Sequence, residues 1–506
     1  MRIRLLLLSS FILCFMPLMA RSEITLAAVF RDHAILQRDK PLPIWGQASA
    51  GEKITVSFHG QSVGTTADGE GQWIVFLDAI PASMEAAELV VAGKDTVVVK
   101  DVLIGDVWLA SGQSNMEWSV SLLNNEERQI AQVDLPFLRQ LRIERTVADR
   151  PARTVPTSGW EAASPQTVGG FTAVGYFFGR ELQRKLNIPI GIILSAWGGT
   201  EIESWMSDTS RLATTVGPST EQRWKQAMSE WPPERVAAYP ALNAAWQKAE
   251  DEAKASRKKN LVPWPNPPAT LDSPARPGGL FNGMIAPLQP VSLRGVIWYQ
   301  GESNAGRPTE YVELFPAMIR AWRENWGDQQ LPFYFVQLPD YSDGNPAART
   351  WARFREAQTS ALALPATGMA VAIDIGDRGD IHPTAKMELG RRLALIAKAR
   401  LHGIQGDDSG PVFANAVREG SAMRVVFTHA GSGLISHQRP VQSLEIAGAD
   451  RIFYVGFARI DRDTLIVSSP HVKEPVAIRY AWSNAPDANL YGGAGLPAAP
   501  FRSDNW

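Results

Sequence analysis

The chain has 506 residues, 45% of them apolar and 17 of them tryptophan, with 50 basic against 52 acidic side chains and a formal net charge of −2. Such a balance, with the two signs interspersed, leaves no electrostatic footprint for nucleic acid or for a polybasic membrane contact. The apolar fraction excludes a disordered chain, and the length exceeds what one ordinary core organises, so two to four domains are expected.

Residues 1–22 read as a secretory signal peptide, with Arg2 and Arg4 before an apolar run from Leu5 to Met19 and a small-residue cleavage position at Ala20-Arg21-Ser22. They predict an exported protein, periplasmic or extracellular, with no stable membrane span once the signal is removed. The single cysteine, Cys14, lies inside this segment. The mature chain is therefore expected to lack disulfides, cysteine-ligated zinc and a thiol nucleophile.

Residues 23–100 alternate apolar and polar positions in short runs such as Lys53 to Phe58 and Trp73 to Leu77, which predicts an N-terminal β-sandwich domain. Over residues 101–403 apolar strands alternate with amphipathic helices, including Tyr176 to Lys185 and Lys386 to Arg400. That texture predicts an α/β domain, a parallel sheet covered by helices on both faces. Residues 209–279 interrupt it with a tryptophan- and proline-rich insertion, helical around Trp224, Met228 and Trp246 and extended through Pro263 to Pro268. An insertion of this length is expected to be a lid, a binding element or an accessory subdomain. Its basic run, Lys254 to Lys259, reads as a solvated helix end. Residues 404–506 return to strand texture and predict a C-terminal β-rich domain.

Four apolar runs of the α/β region end in polar or glycine-rich turns: Val107 to Ala110 before Gly112-Gln113-Ser114-Asn115, Ile190 to Leu194 before Trp197-Gly198-Gly199-Thr200, Gly295 to Tyr299 before Gln300-Gly301-Glu302-Ser303-Asn304, and Met369 to Ile373 before Asp374 to Pro383. If all four are parallel strands, their turns meet along one sheet edge, where open α/β sheets bind ligands. The turns hold the parts of an acyl-transfer site. Ser114 is placed to attack and His382 to take its proton. Asp380, two residues before His382, is the first choice to orient the imidazole, with Asp377 and Asp374 in the same loop as alternatives. The Ser114 N–H, the Gly198 and Gly199 turn and the Asn304 amide are the expected oxyanion donors. Gln113, Trp118, Trp205, Gln300, Glu302 and Arg378 are the expected substrate contacts, the aromatic rings by stacking and Arg378 by pairing with a carboxylate. No two histidines have metal-ligand spacing, so no metal or other cofactor is expected.

At these four blocks the chain resembles the sialate O-acetylesterase family of carbohydrate esterases, within the SGNH hydrolases. The likeness extends to Ile35 to Lys40 and to Leu490 to Trp506, so it spans nearly the whole mature chain. It implies a flavodoxin-like, three-layer α/β/α catalytic domain flanked by β-sandwich-type domains. It also implies metal-free removal of O-acetyl groups from carbohydrates through an acyl-enzyme on Ser114. The family's acid stands three residues before the histidine, where this chain has Gly379; the resemblance therefore leaves the acid open, and some relatives work as a serine–histidine pair supported by a backbone carbonyl. Sialic acid and plant hemicellulose, acetylxylan or xyloglucan, both remain as substrates. The rival readings are a lipase or general carboxylesterase and, from another class, a carbohydrate-binding protein with an inactive hydrolase domain.

Overall fold

One long strand, Thr96–Gly112, organises the molecule. Its first half pairs antiparallel with Ser83–Ala92 in the N-terminal β region, and its second half runs into the middle of the central sheet. The computed structural model describes residues 24–256, 260–263, 265–342, 344 and 348–506. The signal segment with Cys14 lies outside the described residues, as do Arg257 to Lys259 and Trp264.

In space the central sheet runs Thr157–Ala163, Leu135–Ile143, Ile190–Ala196, Thr96–Gly112, Gly295–Tyr299, Phe333–Gln337 and Thr367–Val371. The last six are mutually parallel, and Thr157–Ala163 closes one edge antiparallel. From the central strand the chain builds first toward one edge and then, from Gly295 onward, toward the other. The order thus reverses beside Gly112, the position at which an open α/β sheet offers its crevice. Phe333–Gln337 lies between the third and fourth of the strand ends singled out in the sequence.

Strict pleat alternation decides what each face buries. Trp108 packs edge-on against Phe178 of the helix Ala173–Leu186, at 4.8 Å between centroids. Trp298 stands level with Ser111, and so on the opposite face, where it meets Phe315 and Trp322 of the helix Pro308–Asn325. Full burial of a large apolar side chain of this kind contributes about 3 kcal/mol. The three layers are therefore locked by tryptophans on the two strands that lead to Gly112 and Tyr299. The Ala173–Leu186 helix starts at Thr172, whose hydroxyl accepts from Gly175 N, and stops at Asn187 in the left-handed region. Lys386–His402 packs beside it and stops at Gly403.

Smaller sheets flank this core. The N-terminal region forms two, one of Thr25–Leu26, Leu42–Gln47 and Gln72–Leu77, the other carried on Thr96–Gly112. Two four-stranded sheets lie beyond residue 410. Arg355, fully buried, donates to the carbonyls of Leu338 and Pro339 and to those of Ser483 and Asn484, and so fastens the C-terminal segment to the α/β core. The insertion is helical over Asp208–Leu212, Gly217–Ser229 and Pro233–Ala255 and carries no helix from residue 265 to 278. No helix among the described residues is long and apolar enough to cross a membrane.

Candidate active site

The central strand ends at Gly112, whose φ is +135° and whose Cβ, if it had one, would lie 2.1 Å from the Tyr299 carbonyl oxygen. Only glycine fits there. The chain then turns into a single helical turn, Ser114–Glu117, so Ser114 stands at its N-terminal end above the sheet. The loop after Thr367–Val371 returns to the same place and brings His382 Nε2 to 2.9 Å from Ser114 Oγ. With the ring proton on Nδ1, Nε2 accepts the serine hydroxyl. Trp118 stacks on the imidazole at 5.0 Å and 18° and fixes the plane of the ring. Burial lowers the His382 pKa below the usual histidine value; Asp380 opposes that shift and Lys386 adds to it. A neutral imidazole at neutral pH is the form a general base requires.

The three aspartates of this loop separate by what they touch. Asp374 makes a two-pronged ion pair with buried Arg392, at 2.7 and 2.8 Å. Asp377 accepts from the Gly379 and Asp380 N–H groups and closes the turn. Asp380 Oδ1 lies 3.6 Å from His382 Nδ1 but makes its hydrogen bond, at 2.8 Å, to the backbone N–H of His382. It is a neighbouring charge that is 60% exposed, without a bond to the ring.

Around Ser114 the four expected oxyanion donors are unequal. Ser114 N–H and Gly199 N–H have no acceptor among the described residues, and Gly199, at φ +74°, opens onto free space. Gly198 differs from expectation: its N–H donates to Glu117 Oε2 at 2.9 Å, so a charged acceptor already satisfies it, and it anchors the loop. Glu117 is held in turn by Arg145, whose guanidinium lies over the Trp197 ring. Asn304 Nδ2 donates to Glu203 and its Oδ1 accepts from Ile202 N and Gln300 Nε2, which leaves one amide hydrogen uncommitted.

Most of the expected substrate contacts turn inward. Trp205 is fully buried, packs on Trp298 and donates to Thr200 Oγ1, so it cannot serve as a sugar platform. Gln300 is fully buried and bridges Thr200, Asn304 and Tyr311. Gln113 accepts from the N–H groups of Gly301 and Ser303, tying the first loop to the third. Glu302 pairs with Asn115, and Arg378 is occupied by Asp487 and Asp340. In each case a strand-end loop spends its polar groups on its neighbours, because backbone and amide groups enclosed at the sheet edge must find partners. Trp118 stays half-buried beside His382. Glu117, Asn115 and Lys386 have roles that the residue-by-residue reading missed. Asn115 and Glu117 follow Ser114 within three residues, and Lys386 comes four residues after His382.

Beside the Gly198-Gly199 turn opens a cleft of about 740 Å³, walled on the far side by Trp224 and Trp231 of the insertion and by Asn266 to Pro277. Three of its lining residues, Glu201, Glu203 and Arg223, belong to a charge lattice. Arg307 binds Glu201 and Glu203 at 2.9 and 3.2 Å, and Arg223 binds Glu203 and Glu310 at 3.1 and 2.8 Å.

A family profile described as carbohydrate esterase, sialic acid-specific acetylesterase (SASA) matches residues 104–232 and 243–399. The sialate O-acetylesterase of Mus musculus is 29% identical over 94% of this chain and 93% of its own length. That of Rattus norvegicus is 32% identical over 74% and 73%. The crystal structure of XAC1771, a novel carbohydrate acetylesterase from Xanthomonas citri, superposes with a TM-score of 0.81 at 39% identity and covers 96% of this chain and 100% of that one. The chain belongs to the SASA family and is a sialate O-acetylesterase-like carbohydrate acetylesterase.

Proposed function

We propose that the protein removes O-acetyl groups from carbohydrates by a Ser114–His382 acyl-enzyme mechanism, with Asp380 as a supporting charge. The observation that carries this reading is the 2.9 Å contact between Ser114 Oγ and His382 Nε2 beside the insertion-walled cleft. His382 takes the Ser114 proton as Oγ attacks the acetyl carbonyl. The oxyanion rests on the Ser114 and Gly199 N–H groups and the remaining Asn304 hydrogen, such donors being worth about 3 kcal/mol each. His382 returns the proton to the departing sugar oxygen. It then deprotonates a water, which attacks the acetyl-serine and releases acetate.

One observation favours a neutral acetylated hemicellulose over a sialic acid. A sialic acid carboxylate needs a receptive cation, and Arg145, Arg223, Arg307 and Arg378 are each already paired with a carboxylate. The cleft meanwhile presents Trp197, Trp224 and Trp231, suited to apolar sugar faces. Residues 101–403 are taken as the catalytic unit between the N-terminal and C-terminal β regions, and residues 1–22 as its export signal. Replacing Ser114 with alanine should lower acetate release from 4-nitrophenyl acetate by about 10³-fold or more. Undiminished release would remove the serine from the mechanism. A panel of acetylated sialic acids, acetylxylan and acetylated xyloglucan assigns the substrate, and comparison of acetyl with longer acyl esters separates this reading from a lipase.

A further inference from the structure

Directly beneath the nucleophile lies a buried ionisable cluster that the reaction above does not use. Asn115, the residue after Ser114, is fully enclosed, and both its amide hydrogens and its oxygen are engaged. Its Oδ1 accepts from Lys386 Nζ, and its Nδ2 donates to Glu302 Oε1 and, at 3.0 Å, to the Ile381 carbonyl. These partners come from different loops. Glu302 belongs to the loop after Gly295–Tyr299, Ile381 is the residue before His382, and Lys386 opens the helix Lys386–His402. One side-chain amide thus clamps the nucleophile turn to the loop that carries the base. Lys386 is only 1% exposed, and its ammonium sits 5.2 Å from the Tyr299 ring and 6.0 Å from the ring of Trp118, the indole stacked on His382. A packing role alone would be filled better by leucine or methionine, since a buried ammonium must be desolvated.

Resting on the Ser114–His382 reading, we propose that Lys386 is a positioning residue of this esterase: its buried ammonium, acting through Asn115 and against Glu302, holds the Ser114 turn and the His382 loop in register and sets the field at the imidazole. The carboxylates that face it are Glu302, Glu127 and Asp380. Glu127 lies against the helix start at Lys386 and Met387. Tyr299 contributes a buried hydroxyl without a partner among the described residues, and His382 faces Asp380 and Lys386. Burial drives the Lys386 pKa down to about 7 while those carboxylates pull it up, and burial raises that of Glu302. The Lys386 charge lowers the His382 pKa, so its removal must let that pKa rise.

The test is the pH profile of kcat/KM on 4-nitrophenyl acetate for the full-length enzyme and for Lys386→Met and Lys386→Arg. Lys386→Met is expected to lose on the order of 100-fold in kcat with KM little changed, the scale of a mispositioned general base. Its acid limb should move to higher pH, whereas Lys386→Arg, which keeps the charge, should hold the limb at the wild-type position. A Lys386→Met limb that does not move, or an arginine variant that shifts as the methionine variant does, overturns the proposal. Should Lys386→Met not fold, Asn115→Ala decides: the clamp predicts a fall in kcat at constant KM, and wild-type kcat refutes it. Labelling of wild-type Ser114 by a fluorophosphonate tests the underlying serine–histidine reading separately, because it requires the pair and is indifferent to how the pair is held.

Discussion

Replacing Asp380 with asparagine removes a charge from the imidazole without removing volume. In a buried triad the carboxylate bonds the ring, and its loss costs about 10⁴-fold in kcat. Asp380 stands 3.6 Å from Nδ1, bonds the backbone instead and is 60% exposed. A unit charge at that distance stabilises an imidazolium by about 1 kcal/mol at the dielectric of water and about 4–5 kcal/mol at an effective dielectric near 20. Its exposure places the pair close to the first limit, at about 1–2 kcal/mol, so kcat/KM should fall roughly 5- to 30-fold. Asp380 raises the His382 pKa; without it that pKa falls, and the acid limb of kcat/KM should move to lower pH, the direction opposite to Lys386→Met. Steady-state kinetics on 4-nitrophenyl acetate from pH 4.5 to 8 measure both effects. A loss of 10³-fold or more would show that the carboxylate swings onto the ring in the working enzyme, and a stationary limb would deny it any electrostatic role.

Three further outcomes are open to measurement. Asp374→Ala leaves buried Arg392 with Glu388 and the Val371 carbonyl, so it should destabilise the fold by about 3 kcal/mol, the low end for breaking a buried pair, and leave the acid limb in place; lost activity at unchanged urea stability would make Asp374 a catalytic group. Gly198→Ala puts a Cβ 3.1 Å from Ser114 Cβ and should cost on the order of 100-fold in kcat. Gly199→Ala meets open space and only the left-handed strain of about 1–2 kcal/mol, so its melting temperature should drop while kcat stays within roughly 10-fold, and equal kinetic damage from the two would contradict the geometry. Because the neutral imidazole is the active form and burial depresses its pKa, wild-type kcat/KM should be lost as pH falls through a value below the usual histidine pKa of about 6.5, and a midpoint above it would show the ring to be charge-stabilised.

The strand ends at Ser114, Gly198-Gly199, Asn304 and His382 were readable because a fully buried parallel strand leaves an unbroken apolar run and its exit turn an abrupt change of composition. The helices Tyr176 to Lys185 and Lys386 to Arg400 matched Ala173–Leu186 and Lys386–His402 for the same kind of reason, a sustained helical period. The strand Phe333–Gln337 was not singled out, since its five residues end without a glycine-rich turn. Residue roles inside the turns were the weak point. Trp205, Gln300 and Gln113 have the composition of ligand contacts yet serve as internal braces, and Arg378 has the composition of a carboxylate clamp yet binds Asp487.

Local periodicity and turn composition depend only on near neighbours, and by themselves they determined the layered α/β class and the flanking β regions, while the meeting of a serine turn with a histidine loop followed only on the condition that their strands run parallel. Tertiary structure alone decided which aspartate neighbours the ring, that Glu117 holds Gly198, and that Asn115, Lys386 and Glu302 join three loops beneath the nucleophile. Those contacts span from 81 to 271 residues or lie between side chains of one loop whose directions no spacing encodes. They are set when the sheet edge closes and each enclosed polar group must find its partner among whatever the fold has brought near.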